Sequence, residues 1–170
     1  MPQRLRACLG AWTVLCQVEA ASAHRAWFAQ RPEDYGPFFR QWLERGAAFS
    51  GVDLAQAQHD RADCAGDVLA MMQTVDLFAC PSTPRVAYPV TPAMSYGPIP
   101  PDRDPWWARY TAPFNFTGLP TLSLPCGLSQ TGMPLSLQLV GHSLREDQLV
   151  GAGHAYEQAS RWHALHPPGW

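Results

Sequence analysis

The sequence predicts an α/β fold in which a small mixed sheet is packed by long helices. Apolar residues recur at three- and four-residue steps over residues 5–30, and a second helical pattern covers about residues 54–74. Two short runs, near residues 121–126 and 135–140, alternate apolar and polar side chains. The first spacing places apolar side chains on one face of a helix, and the second places them on one face of a strand. At 170 residues, the chain has the length of about one domain.

Three helices are expected in the N-terminal half of the chain. The first covers residues 5–30, a shorter one runs from Phe38 to Phe49, and the third runs from about Leu54 to Thr74 with Asp53 as its N-cap. Glu19 lies on the apolar stripe of the first helix. Because an unpaired buried carboxylate is costly, we expect Glu19 to be partly exposed or paired.

The last helix is expected to begin at a capping box formed by Ser143-Leu144-Arg145-Glu146. In such a box the Ser143 hydroxyl bonds the main chain of the first turn, and Glu146 reaches back toward Ser143. The helix is predicted to continue to about His163, with Leu149, Ala152, Tyr156 and Ala159 inward.

Three strands are expected. Residues 75–80 form a brief buried strand, and the alternating runs at 121–126 and 135–140 form two more. A loop of eight residues, from Gly127 to Pro134, joins the alternating runs. A connection this short favours an antiparallel pair, because a parallel pair needs a longer crossover.

Residues 81–113 are predicted to form one long loop, since they contain nine of the seventeen prolines. Trp106, Trp107 and Tyr110 lie near its end, on a turn that Asp104-Pro105 could begin. These rings either line a substrate cleft or pack the loop against the domain, and the sequence favours neither interpretation.

Composition limits the partners and the location. The net charge of −2 gives no strong attraction to nucleic acid or to an anionic membrane. No apolar run approaches the ~20 residues that a membrane span needs, and Gln17 and Glu19 interrupt the segment that could resemble a signal peptide. Five widely spaced cysteines predict free thiols in a reducing compartment, and hence the cytoplasm. These cysteines are Cys8, Cys16, Cys64, Cys80 and Cys126.

Glycine and proline recur at fixed spacing in three segments between Thr111 and Gly141. The segments are Asn115-Phe116-Thr117-Gly118-Leu119-Pro120, Leu124-Pro125-Cys126-Gly127 and Gly132-Met133-Pro134-Leu135-Ser136-Leu137-Gln138-Leu139-Val140-Gly141. Together with Pro81-Ser82-Thr83-Pro84 upstream, they resemble the C-terminal part of the amidase signature family. The resemblance spans nearly the whole chain, so residues 1–170 are expected to be one part of an amidase domain. It implies hydrolysis of amide C–N bonds, which full-length members perform with a Ser–cisSer–Lys triad.

The catalytic groups that this resemblance implies are missing from the sequence. The chain contains no lysine and no Gly-Gly-Ser-Ser-like run, and the family carries both in its N-terminal half. A serine hydroxyl needs a base to become nucleophilic, and the developing oxyanion needs preorganised donors. We therefore expect no catalytic residue in this chain, no hydrolysis by the chain alone, and no cofactor or metal. The chain would supply scaffold and one wall of the substrate pocket.

The resemblance places four candidate substrate-binding residues on that wall, namely Trp107, Arg109, Thr111 and Asn115. Ala108 stands where the glutamyl-tRNA amidotransferase branch has an acidic residue that helps to hold glutamine, so a glutamine-specific pocket is not expected. Asn115 is expected to hydrogen-bond the loop ahead of the following strand rather than to touch substrate.

Two other functions remain open at this point. The chain could be a non-catalytic module, derived from an amidase, that binds a small molecule or a protein. It could also be an enzyme with another nucleophile, such as Cys126 at a strand end. A small amide substrate is expected only if the catalytic half is supplied. Exposed apolar surface predicts self-association or a partner chain.

Overall fold

The computed structural model describes residues 4–94 and 106–166, and within them it contains five α-helices and three β-strands. In chain order these are α1 (Arg4–Gln30), α2 (Pro37–Ala48), α3 (Gly51–Met72), β1 (Phe78–Pro81), α4 (Ala112–Thr117), β2 (Thr121–Leu128), β3 (Pro134–Val140) and α5 (Glu146–Ser160). Short 3-10 turns lie at Pro32–Asp34, Pro92–Met94 and Trp162–Ala164. None of the helices in the described ranges combines the length and the apolar character that crossing a membrane requires.

The described residues divide into two compact units. The first comprises residues 4–64, 88–94 and 106–107, and the second comprises residues 65–87 and 108–166. The α/β class is confirmed, and so are the positions of the three N-terminal helices to within a few residues.

Close packing of α1 on α2 forms the core of the first unit. Gly46 of α2 is buried against the main-chain carbonyl of Gln17, and a side chain at residue 46 would collide with it. Leu15 of α1 and Leu43 of α2 are also buried, with 4% and 1% of their surface exposed. The missing side chain of Gly46 is thus what lets the two helix backbones approach each other.

Glu19 on α1 is exposed, as one of the two expected outcomes had it, and His24 on the same helix has a packing role. The Glu19 carboxylate therefore stays in water. His24 is half-buried among aromatic rings, with its Nδ1 atom 3.1 Å from the Tyr35 hydroxyl. Packing therefore accounts for this histidine.

A disulfide in the first unit corrects the expectation of five free thiols. Cys8 of α1 and Cys64 of α3 are bonded, with 6.0 Å between their Cα atoms and 56 residues between them in sequence. Both side chains are buried. Cys16, Cys80 and Cys126 are free. No local cysteine motif predicts this disulfide, because the two helices that carry it come together only in the folded chain.

The N-terminus of α3 is capped by Ser50, not by Asp53 as expected. The main-chain N–H of Asp53 donates to the Ser50 hydroxyl oxygen at 3.1 Å. The N–H and the hydroxyl of Ser50 both donate to the Asp53 carboxylate, at 2.8 and 2.7 Å. Asp53 is therefore the third helical residue of a reciprocal capping box, and the helix begins a few residues earlier than predicted.

The sheet of the second unit has the order β1-β3-β2, and both of its pairings are antiparallel. The predicted hairpin is confirmed, whereas the expectation of a mixed sheet is corrected. In β1, Cys80 pairs with Gln138 of β3; across the hairpin, Gln138 pairs with Ser123 of β2. The strand predicted at 75–80 begins later, at Phe78. The long connection between β1 and the hairpin does not fix the direction of β1, which is why the sequence could not show that this pairing is antiparallel.

The two faces of the sheet pack against different parts of the second unit. On one face, Leu122 and Leu124 lie beneath α5, where a Cβ atom at Gly153 would come within 2.5 Å of Leu122 Cδ2. On the other face, the rings of Phe78 and Phe114 pack with 6.3 Å between their centroids. The alternation that predicted one leucine face is thus confirmed where it meets α5.

The capping box predicted at Ser143 does not form. Leu144 has a φ of 59°, a left-handed conformation that interrupts the helical turn, and α5 begins at Glu146 with Arg145 as its N-cap residue. Arg145 instead pairs with Asp147, with 3.0 Å between Nε and Oδ1. The helix ends at Ser160 rather than near His163. Ala159, which was expected inward, is exposed.

The end of the proline-rich segment begins an α-helix that the sequence did not predict. Helix α4 begins at Ala112, within the predicted loop 81–113, and Gly118 ends it in the left-handed conformation that glycine favours, with φ at 68°. The turn expected from Asp104-Pro105 falls on residues outside the described ranges. Residues 106–110 form a turn.

Candidate functional site

A buried glutamine ties the end of the proline-rich segment to the sheet. Gln138 lies on β3 with 4% of its surface exposed, and its Nε2 atom donates a hydrogen bond of 2.7 Å to the main-chain oxygen of Tyr110. The same nitrogen lies 3.4 Å from the sulfur of Cys80 on β1. A buried side-chain amide without hydrogen-bond partners is costly. The two contacts of the Gln138 amide therefore hold residues 108–111 over the sheet.

Helix α4 continues from that anchor into β2. The Thr117 hydroxyl donates to the carbonyl of Phe114 at 3.0 Å and accepts from the N–H of Leu119 at 3.3 Å. Phe114 is buried and contacts Phe78 of β1. The expectation that Asn115 bonds the loop ahead of the strand is therefore wrong: Thr117 makes this contact. Asn115 points outward from a helix whose inner face is taken by Phe114 and Phe116, so it is exposed.

The four predicted pocket residues are distributed over both units. Trp107 belongs to the first unit, where its ring meets Trp12 of α1 edge to face at 5.5 Å. Arg109, Thr111 and Asn115 belong to the second unit. The Arg109 guanidinium lies 5.2 Å from the centre of the Tyr110 ring. The Thr111 hydroxyl donates to the carbonyl of Ala108 at 3.3 Å.

In the second unit, two of the candidate side chains are half-buried and one is exposed. Thr111 is half-buried and bonded to its own turn, and Arg109 is half-buried beside an aromatic ring. Asn115 is exposed, and its side-chain amide makes no hydrogen bond to any described residue. An exposed carboxamide both donates and accepts, so Asn115 can bind an amide group in either orientation.

The free thiols are not arranged as nucleophiles. Burial raises the pKa of the Cys80 thiol, and a hydrogen bond from Gln138 opposes that shift only in part. Burial and the nearby Glu19 carboxylate raise the pKa of the Cys16 thiol. Cys126 occupies the bulge of β2 between Pro125 and Gly127, and within the described ranges no histidine is hydrogen-bonded to it. Because a thiol that remains protonated is a poor nucleophile, the raised pKa values disfavour Cys80 and Cys16 in that role.

Sequence reasoning missed Gln138 and a pair of hydroxyls near it. Ser82 donates a side-chain hydrogen bond of 3.1 Å to Ser123 of β2, and its N–H donates to the carbonyl of Ser136 on β3. The position of Gln138 within the polar half of an alternating strand was visible in the sequence. Its burial was not, because the partner is a main-chain carbonyl 28 residues away.

Comparisons with known proteins identify the family. A family model described as Amidase matches residues 4–150. A glutamyl-tRNA(Gln) amidotransferase subunit of Cyanothece sp. (strain PCC 7425 / ATCC 29141) is 36% identical over 147 residues, which cover 81% of this chain and 29% of that protein. An amidase of Pseudomonas putida is 34% identical over 160 residues, covering 88% of this chain and 32% of that protein.

The fold gives the same result. A 6-aminohexanoate cyclic dimer hydrolase superposes with a TM-score of 0.80 at 26% identity, over 99% of this chain and 38% of that structure. The chain thus spans about a third of the length of the relatives that it matches. The three-stranded sheet, the helices around it and the matched residues together show that this chain belongs to the amidase signature family, of which it carries a part.

Proposed function

We propose that this chain supplies scaffold and one wall of the substrate pocket to an amidase, and that it does not hydrolyse amides alone. The observation that carries the proposal is the absence of lysine from all 170 residues. Full-length members of the family use a lysine as the base that activates the attacking serine, and this chain has none. The part of the family fold that holds nucleophile and base would come from outside residues 1–170.

The substrate class that fits this proposal is a small amide. The matched Pseudomonas putida protein is named an amidase, and the matched hydrolase structure is named for the 6-aminohexanoate cyclic dimer. In the second unit, the exposed Asn115 carboxamide is the candidate for direct contact, while Arg109 and Thr111 shape the wall beside it. Trp107, whose ring packs against Trp12 within the first unit, is a separate candidate there. No cofactor or metal is part of the proposal.

An amide-hydrolysis assay tests this function. The isolated chain is expected to give no turnover with simple aliphatic and aryl amides. Turnover is expected when the chain is mixed with the portion of the Pseudomonas putida amidase that lies outside the matched region, and that portion alone should be inactive. Robust turnover by the isolated chain, lost in Cys126→Ser, would instead identify a different enzyme.

The location in the cell is a related proposal. A cytoplasmic protein was expected from free thiols, but the Cys8–Cys64 disulfide removes that argument, because disulfides seldom persist in a reducing compartment. If the protein is cytoplasmic, we expect the thiols of Cys8 and Cys64 to be reduced rather than bonded to each other. Counting free thiols in the denatured protein, purified from cytoplasm under alkylating conditions, decides between the two states.

A further inference from the structure

We propose that the disulfide between Cys8 and Cys64 is a redox switch for the first half of α3, residues 51–64, which lies in the first unit. While the bond is formed, this half of the helix is held against α1. When the bond is reduced, residues 51–64 open while α1 and α2 stay packed. The inference goes beyond the proposed function and does not depend on which reaction an assembled enzyme would catalyse.

The first half of α3 buries little apolar surface that could hold it in place. Among residues 51–64, all of which the structure describes, only Ala57 and Cys64 are buried. The half-buried side chains of this segment are one leucine and two charged groups, namely Leu54, Asp60 and Arg61. Because burying an alanine removes much less apolar area from water than burying a leucine or a methionine, noncovalent packing contributes little to the attachment of this segment.

The approach of the helix backbones in the first unit gives the same result. Helices α1 and α2 come close at many points, with Gly46 of α2 against the main chain of Gln17. Among the described residues, α1 and α3 come as close only at isolated points. The bond between Cys8 and Cys64, with 6.0 Å between their Cα atoms, is one of these points. The disulfide is therefore the main connection between residues 51–64 and α1.

Without the bond, residues 51–64 have to stay helical with little help from the rest of the first unit. A short helix that packs on nothing is only marginally stable in water. The capping box between Ser50 and Asp53 stabilises the first turn, but it joins residues of the same segment and does not tie them to α1. We therefore expect reduction to cause local unfolding of residues 51–64 rather than unfolding of the whole unit.

The chemical step is a thiol–disulfide exchange with a dithiol reductant. A thiolate of the reductant attacks one sulfur of the Cys8–Cys64 pair, the bond between the two cysteines breaks, and a mixed disulfide forms. The second thiol of the reductant then displaces the protein sulfur. The protein gains two electrons and two protons, and the reductant becomes a disulfide. Because Cys8 and Cys64 are buried, the reductant reaches them when the segment opens transiently.

Limited digestion of the 170-residue chain with trypsin tests the inference. The chain contains no lysine, so trypsin cleaves it only after arginine. Arg61 lies within the segment and reports its opening, whereas Arg40 and Arg45 of α2 report unfolding of the first unit. Reduction with dithiothreitol should accelerate cleavage after Arg61 about tenfold or more, because this rate follows the population of the open state. Cleavage after Arg40 and Arg45 should change by less than about twofold.

Two variants distinguish the switch from other effects of the reductant. The double variant Cys8→Ala/Cys64→Ala cannot form the bond, so cleavage after Arg61 should be rapid with or without dithiothreitol. Cys16→Ala removes a free thiol of α1, keeps the bonded pair, and should respond like the parent chain. If the double variant fails to fold, the reduced parent chain still gives the result, and circular dichroism shows whether its helices remain. Reoxidation of that sample with oxidised glutathione should restore slow cleavage after Arg61.

Three results would overturn the inference. Equal acceleration of cleavage after Arg40, Arg45 and Arg61 would show that reduction unfolds the whole unit. Unchanged cleavage after Arg61 in a chain whose five thiols all titrate would show that packing alone holds α3 in place. Rapid cleavage that persists after reoxidation would show an irreversible loss of structure instead of a switch. None of these results depends on amide hydrolysis, so the proposed function stands or fails separately.

Discussion

Gln138 on the central strand donates a hydrogen bond of 2.7 Å to the carbonyl of Tyr110, the residue at which the proline-rich segment meets the sheet. Replacing Gln138 by leucine would leave that half-buried carbonyl without its donor. We expect Gln138→Leu to lower the free energy of unfolding by about 1 kcal/mol, the net contribution of a typical hydrogen bond. Urea denaturation followed by circular dichroism measures it.

Ser123→Ala is the matched control for this substitution. Ser123 pairs with Gln138 in register, but its hydroxyl bond to Ser82 lies at the exposed surface. We expect a change within about 0.5 kcal/mol in the free energy of unfolding, as for most surface substitutions. Equal losses of unfolding free energy in Gln138→Leu and Ser123→Ala would show that the hydrogen bond to Tyr110 contributes no more to stability than a surface contact.

The sequence predicted the elements that depend on local periodicity. The hairpin followed from alternating leucines such as Leu122 and Leu124, and α1 followed from three- and four-residue spacing, because each pattern reports a repeated contact with one surface. Helix α4 was not predicted because its six residues include Pro113. Proline usually indicates the end of a helix, although it is tolerated in the first turn.

Non-local pairings could not be predicted in this way. The Cys8–Cys64 bond and the Gln138–Tyr110 contact each join residues brought together only by the fold. The sequence and the family resemblance named Arg109, Thr111 and Asn115 as candidates, and all three lie in the second unit. They did not show which side chain is exposed, because that depends on how α4 packs against β1.

Two glycines in helices should respond in opposite directions to alanine. At Gly46, a Cβ atom would meet the main chain of Gln17, which cannot rotate away, so we expect Gly46→Ala to destabilise by about 1–3 kcal/mol. At Gly66, an added Cβ meets nothing within 4 Å, and Gly66→Ala should stabilise α3 by about 0.5–1 kcal/mol. Chemical denaturation of both variants checks the pair, and a tolerated Gly46→Ala would contradict the packing of α1 on α2.

The disulfide between α1 and α3 should add measurably to stability. It closes a loop of 56 residues, for which the chain-entropy estimate is about 4 kcal/mol at 25 °C. We expect dithiothreitol to lower the denaturation midpoint of the parent protein but not of the double variant Cys8→Ala/Cys64→Ala. Three thiols should titrate in the unreduced, denatured protein, and five after reduction. Five thiols in a sample kept oxidised would contradict the bond.

The capping box at Ser50 should make stability depend on acid pH. Hydrogen bonds from Ser50 lower the pKa of the Asp53 carboxyl in the folded state. A lowered folded pKa means that the contribution is present above the ordinary pKa of about 3.9 and is lost as the pH falls through the folded value. Thermal unfolding should therefore show a smaller difference between pH 7 and pH 3 in Asp53→Asn than in the parent chain. The exposed Asp63→Asn on the same helix is the control and should follow the parent chain.

Substitutions of Asn115 and Thr117, which lie two residues apart on α4, should distinguish an effect on substrate binding from an effect on folding. Thr117→Val removes the hydroxyl that joins Phe114 to Leu119, and we expect a loss of about 1 kcal/mol in the free energy of unfolding. Asn115→Ala removes an exposed amide and should change that energy by less than about 0.5 kcal/mol. Denaturation of the isolated chain measures both effects without any catalytic partner.

The same two variants then test the pocket wall once the catalytic portion is supplied. If Asn115 contacts the substrate amide, Asn115→Ala should raise KM or lower kcat/KM about tenfold, the equivalent of one lost hydrogen bond, while the assembly stays as stable as the parent. Thr117→Val should change kinetics only as far as it changes stability. Parent-like kinetics in Asn115→Ala would remove Asn115 from the wall and leave Arg109 and Thr111 as its candidates in the second unit, because a contact that binds substrate cannot be deleted without a kinetic effect.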